Sequence, residues 1–122
     1  MNCQILDLRF FENAGKFQLI ADNSCAKYLF LGDPYYTIDN INFEDFSVNI
    51  STTNAYNKGN TSNVLGSPIN GLFWEINELI AYNLPVNKGM IITTGTCAMP
   101  IKFRKKDKLI ARFGEVGDVR KT

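Results

Sequence analysis

The chain has 122 residues, 45% of them hydrophobic, and a formal net charge of +1; this is enough apolar content for one core and not two, with no run near the roughly 20 apolar residues that cross a bilayer. The absence of histidine excludes from these residues a Ser-His-Asp triad, a Cys-His pair and a histidine-ligated metal, so a metal here would take oxygen ligands, as magnesium, manganese and calcium do. Cys3, Cys25 and Cys97 are odd in number and never spaced as CxxC, which predicts free thiols, and the start MNCQILDLRF, without a basic or long apolar segment, predicts a cytoplasmic protein.

The opening CQILDLRFF is rich in branched and aromatic residues and reads as a strand. Alternation places Cys3, Ile5, Asp7 and Arg9 on one side and Gln4, Leu6 and Leu8 on the other, as in a strand covered on both faces. GKFQLIADNSCAKYLFLG predicts a short helix over residues 16–21, an irregular Asp-Asn-Ser-Cys segment, and a buried strand over residues 28–31 stopped by Gly-Asp-Pro. FEDFSVNISTTNAYNKGNTSNVLG alternates in its first half and carries Asn-Lys-Gly and Asn-Thr-Ser turn signals in its second, as a hairpin does.

The clearest element follows. Ser67 caps a helix, Pro68 fits its first position, and Ile69, Leu72, Phe73, Ile76, Leu79 and Ile80 recur on one face, with Glu75, Asn77 and Glu78 toward water. Gly71 costs about 1 kcal/mol relative to Ala inside a helix, which suggests a close backbone approach there. Asn83 and Pro85 end the helix; after Lys88 and Gly89, MIITT reads as a strand leading into the loop Thr94, Gly95, Thr96, Cys97, Ala98. Such a small-residue loop, rich in free N–H groups, either receives a carboxylate or enolate oxygen or is simply a tight connection.

Residues 102–122 hold eight Lys/Arg against three Asp/Glu. The alternation of IKFRKKDKLIARF around Lys-Lys-Asp reads as a solvated hairpin, and Phe103 and Phe113 fall at hydrophobic strand positions rather than on a stacking platform, so no nucleic-acid partner is expected.

Four segments in order, QILDLRF, IADNSCAKYLFLG, GSPINGLFWEIN and NKGMIITTGTC, with FGEVGDV closing the chain, resemble the 2-keto-4-pentenoate hydratases and 2-oxo-3-hexenedioate decarboxylases of the fumarylacetoacetate hydrolase superfamily. Those proteins carry E-I-x-D-S-R, A-D-N-A-S-S-x-x-F-V-L-G, G-x-P-L-N-A-L-x-W-L-A-N, A-G-D-x-V-L-T-G-S-C and D-F-G-x-L-G-S-V. The likeness is to their C-terminal half and covers nearly the whole chain. It implies a β-rich α+β fold over residues 1–122 as one domain: a mixed, strongly bent sheet, part of a fumarylacetoacetase-like roll, against one long amphipathic helix over residues 68–82.

The resemblance further implies a hydro-lyase or decarboxylase acting on 2-oxo or 2-hydroxy dienoic acids in aromatic catabolism. In the family a magnesium or manganese ion is held by an E-x-E pair and by the Glu of E-I-x-D-S-R. Here that third position is Gln4, a neutral amide, and none of Glu12, Glu44, Glu75 and Glu78 stands in an E-x-E pair; the family's active-site lysine also belongs to the N-terminal half. The chain alone is therefore expected to lack the metal cofactor and activity, as a truncated enzyme whose other half is a separate chain. The alternatives are a noncatalytic binder of a 2-oxo acid and an oligomerisation module, and apolar surface left by a missing half would favour a homo-oligomer. The substrate-binding residues implied are Asp7, Arg9, Asp22, Asn23, Thr94, Gly95, Thr96 and Cys97. Each has a plainer reading: Asp7 with Arg9 as an ion pair on one strand, Asp22 with Asn23 as a helix end, Cys97 as a thiol with no histidine to activate it, and Trp74 as buried or interface area.

Overall fold

The computed structural model describes residues 2–6, 14–34, 41–104 and 106–121, and the expectations for Asp7 and Arg9 lie outside them. Strand β1 (Asn2–Leu6) runs antiparallel to β2 (Ala26–Leu31), with Cys3 opposite Phe30 and a register shift between Ile5 and Leu6. Between them come helix α1 (Lys16–Ala21) and a 3-10 turn, Asn23–Cys25. A second sheet has the order β4 (Tyr56–Asn60), β3 (Ser47–Ser51), β5 (Leu109–Arg112), β6 (Asp118–Lys121). The described pairings are all antiparallel. Helix α2 (Pro68–Ala81) is the one longer helix among the described residues. The architecture is α+β and open, with one longer helix, as the resemblance implies; its described strands are divided between two sheets.

The core forms where the two sheets meet. Cys3, Leu109, Ala111 and Val119 are buried together, and Phe30, Ile50, Phe103 and Phe113 pack against them. In β5 the alternation is direct: Leu109 and Ala111 are buried while Arg112 is exposed. On the other side Arg112 and Asp118 are register partners, and Asp118 also accepts a 2.8 Å bond from Arg120.

Helix α2 follows its sequence signals closely. The Ser67 hydroxyl accepts from the Ile69 N–H at 3.3 Å, and Pro68 sits at the first position. At the far end Asn83 takes φ +55°, while the N–H groups of Asn83 and Leu84 donate to Ile80 O and Leu79 O. This is a Schellman stop with Asn in the left-handed position, and Pro85 follows. Among the described residues no helix is long and apolar enough to cross a membrane.

Several local expectations are corrected. Neither β1 nor β2 is covered on both faces: Gln4 is exposed beside buried Cys3, and Tyr28, Leu29 and Leu31 are exposed. The hairpin of β3 and β4 turns at residues 52–55, where the Thr52 hydroxyl accepts from Ala55 N at 3.0 Å and Thr52 N donates to Ala55 O at 2.7 Å. The Asn57, Lys58, Gly59 signal lies inside β4 instead. MIITT is not a strand, because no described strand runs beside it to close a ladder; the residues after it meet β4 through an isolated bridge between Gly59 and Ala98 and bonds from Asn57 and Asn60. The basic tail does turn near Asp107, whose carboxylate accepts from Arg104 N at 2.9 Å. Residues 101–104 are not a strand, however, and β5 pairs with β3 and β6. On α2, Ile69, Leu72, Ile76 and Leu79 are half-buried but Phe73 and Ile80 are exposed, and Glu75 and Glu78 are half-buried rather than turned fully to water.

Candidate functional site

The inward face of the larger sheet begins the site. Val48 and Ile50 share one face of β3, and Ile50 is the register partner of Ala111 on β5. Thr61, 2% exposed, holds the segment above them: its hydroxyl accepts from Phe46 N at 3.0 Å and donates to Phe46 O at 3.5 Å. With Phe43, Phe46, Phe113, Cys3 and Pro68, these residues form the wall of a cavity of about 230 Å³. The other wall is the loop of Thr94, Gly95, Thr96, Cys97 and Ala98.

That loop is fixed by two close-approach glycines, two asparagine side chains and one backbone N–H of β4. A Cβ on Gly71 of α2 would stand 2.5 Å from Thr94 O and 3.1 Å from a Val64 methyl, so the helix backbone lies directly against the loop. On the far side a Cβ on Gly59 of β4 would collide with the Cys97 carbonyl and with Ala98. The Cys97 carbonyl accepts from Asn60 N at 3.0 Å and from Asn63 Nδ2 at 2.9 Å, and Asn57 Nδ2 donates to Met99 O at 3.2 Å. Gly95 itself has φ +131°, a conformation open to glycine and strained for other residues. Its N–H and those of Thr94 and Thr96 have no acceptor among the described residues.

Asn57, Asn60 and Asn63 were not among the sequence candidates. In NKGNTSN they look like turn residues; Asn57 and Asn63 bond the loop through their side chains and Asn60 through its backbone N–H, and no spacing in the sequence signals it. Gly71, in contrast, carries the close approach that its cost inside a helix suggests.

Of the sequence candidates, Thr94, Gly95, Thr96 and Cys97 line the cavity. Asp22 and Asn23 are exposed and do not line it. They belong to a strained turn in which Asn23, Ser24 and Cys25 all have positive φ, a left-handed run that non-glycine residues seldom adopt. Gln4 is exposed, one residue from cavity-lining Cys3, and so lies on the opposite face of β1.

Burial pushes the Cys3 and Cys97 thiols above their ordinary range, so both are neutral near pH 7 and neither is an activated nucleophile. No disulfide joins the cysteines. Among the described residues no three of Cys, Asp or Glu come together to hold a metal ion. The described lining offers hydroxyls, carbonyls and neutral thiols but no carboxylate, so it does not by itself make a site for a hard divalent cation. What it can do is present N–H and hydroxyl donors to an anionic head and an apolar wall to the remainder of a ligand.

No family model matches the sequence. The chain is similar to 2-oxo-hept-4-ene-1,7-dioate hydratase of Escherichia coli, 27% identical over 104 residues, which is 84% of this chain and 39% of that protein. It is also similar to 2-keto-4-pentenoate hydratase of Burkholderia vietnamiensis (strain G4 / LMG 22486), 22% identical over 117 residues, 95% of this chain and 42% of that one. The chain therefore spans about two fifths of the length of these curated relatives. It is a distant relative of these hydratases, in keeping with a likeness to their C-terminal half.

Proposed function

We infer that this chain is a hydratase-like protein of the cytoplasm whose 94–98 loop closes a site for a small 2-oxo acid of the kind formed in aromatic catabolism. The observation that carries this reading is the loop's setting: a segment resembling the family's T-G-S-C is clamped by Gly71 and Gly59 over an apolar cavity, with three N–H groups that no described residue occupies. The 2-oxo acid's carboxylate would accept from those N–H groups and from the Arg9 guanidinium, which the resemblance implies for the same pocket. The neutral Cys97 thiol would pack beside it without reacting.

Hydration requires stabilisation of an enolate, which in the family falls to a divalent metal held by carboxylates. These 122 residues contain no E-x-E pair, so turnover needs those carboxylates from elsewhere, in a separate N-terminal half or a larger assembly. Incubated alone with magnesium or manganese and 2-hydroxypenta-2,4-dienoate, the chain should not deplete the dienol absorbance at an enzymic rate; ordinary turnover would refute this. Binding is tested separately. Pyruvate or oxalate at tenfold over its Kd should stabilise the fold by about 1.4 kcal/mol, seen as a rise in melting temperature. Arg9→Ala should abolish the rise while leaving the unliganded melt in place. No shift beyond that of matched ionic strength would leave the loop as a structural corner.

A further inference from the structure

A second cavity, of about 460 Å³, lies at the end of the larger sheet where β5 passes into β6. Arg112 is the last residue of β5, Glu115 lies in the 3-10 turn Gly114–Val116 that follows, and Asp45 precedes β3; all three line the cavity. Because β3 runs antiparallel to β5, with Asn49 opposite Arg112, the start of one strand and the finish of the other are at the same end. Phe46 and Phe113 also line the cavity of the 94–98 loop, but the three charged residues do not. Charges of opposite sign share this second cavity without pairing. The Arg112 Nε is 4.0 Å from Asp118, whose carboxylate already accepts from Arg120 at 2.8 Å, and no ion pair joins Arg112 to Asp45 or Glu115. Asp45 is held by Asn60 Nδ2 at 2.8 Å.

We propose that this cavity binds a free amino acid with a cationic side chain, of which lysine is the simplest. One guanidinium and two carboxylates held apart around one space match a ligand with one carboxylate and two cationic groups. The α-carboxylate pairs with Arg112 and the two cations with Asp45 and Glu115. The alkyl stem lies on Ile41, Val116 and the two phenylalanines, all half-buried. A diamine leaves the guanidinium facing cations, a neutral amino acid leaves one carboxylate unmatched, and a dicarboxylic acid meets two charges of its own sign. Arg112, Asp45 and Glu115 are exposed, so each ion pair strengthens binding by at most about fivefold and affinity is weak. The proposal does not depend on the 94–98 loop.

Isothermal titration of the full 122-residue chain at constant ionic strength tests this with L-lysine and three relatives that each lack one charge. Cadaverine lacks the carboxylate, L-norleucine the side-chain ammonium and 6-aminohexanoate the α-ammonium. Lysine should bind tightest, with each relative about threefold to fivefold weaker. Arg112→Gln should bring lysine down to the level of cadaverine without weakening cadaverine, while Asp45→Asn and Glu115→Gln should each weaken lysine about threefold to fivefold. Arg9→Ala should leave lysine binding unchanged, which separates this cavity from that of the 94–98 loop. Cadaverine as tight as lysine in the parent, or lysine unaffected in an Arg112→Gln variant whose melt shows it folded, overturns the proposal. Where that variant does not fold, the four ligands on the parent chain decide alone. A loss of lysine binding in Arg9→Ala, or no binding by lysine at high millimolar concentration, also overturns it. The last outcome leaves the 2-oxo acid reading untouched, since that reading rests on other residues.

Discussion

At Gly71 the ordinary rule for a helix residue reverses. Replacing an interior helix glycine by Ala usually gains up to about 1 kcal/mol, but here the new Cβ would stand 2.5 Å from Thr94 O, with Val64 behind it at 3.1 Å. Overpacking of this kind costs about 1–3 kcal/mol. Gly71→Ala should therefore lower the urea midpoint, by about 1 kcal/mol net, and weaken ligand binding because the loop is pushed outward; a stabilised variant would show that helix and loop are not in contact. A second residue-scale expectation concerns the thiols. Cys3 and Cys97 favour the protonated form in the folded chain, so the folded state holds the proton more tightly than the unfolded state. Stability should be independent of these groups below pH 9.0, the ordinary thiol value, and should fall as pH rises beyond it. Cys97→Ser and Cys3→Ser, compared with the parent in denaturation series between neutral and alkaline pH, should remove part of that fall. A fall in both serine variants equal to the parent's would assign it to other groups.

Among the elements, α2 was legible because all its signals are local: a serine cap, a proline at the first position, a helical period and an asparagine stop. Ser67→Ala should cost about 1 kcal/mol, since the Ile69 N–H would lose its acceptor at a position 4% exposed. Equal melting of variant and parent would show that the cap contributes nothing. Strands are less legible because their identity depends on partners. MIITT has the residues of a strand but no described ladder partner, whereas YNKGN has the residues of a turn and is β4. Gly59 is there because the 97–98 backbone passes where a side chain would be, a contact between positions far apart in sequence that local pattern cannot express. The same distinction divides the candidate site. Residues 94–97 were legible as a small-residue loop on the cavity, while Asp22 and Asn23, placed with them by resemblance, are on an exposed turn, and the asparagines that hold the loop carry no chemistry that would single them out.

Across the whole molecule the distribution of apolar surface is uneven, and it bears on association. The core between the sheets is small, while Phe73, Trp74 and Ile80 of α2 and Tyr82 and Leu84 after it are each more than half exposed. Phe73 and Ile80, seven apart, lie on one helix face, so exposure here is a patch and not a scatter of single residues. Nor does electrostatics oppose contact between copies, with a net charge of +1 and an isoelectric point near 7.6. The chain should therefore self-associate, with a sedimentation coefficient that rises with concentration. Because the patch is apolar, added salt should leave association unchanged or strengthen it; association through the basic residues near the C-terminal end would instead be weakened as charge is screened. Phe73→Asp with Ile80→Asp should shift the equilibrium toward monomer at little cost to folding, since both side chains are already in water. A single monomeric boundary at high concentration in the parent would sink the proposal, and association lost in salt but kept in the double variant would move the interface to the basic tail.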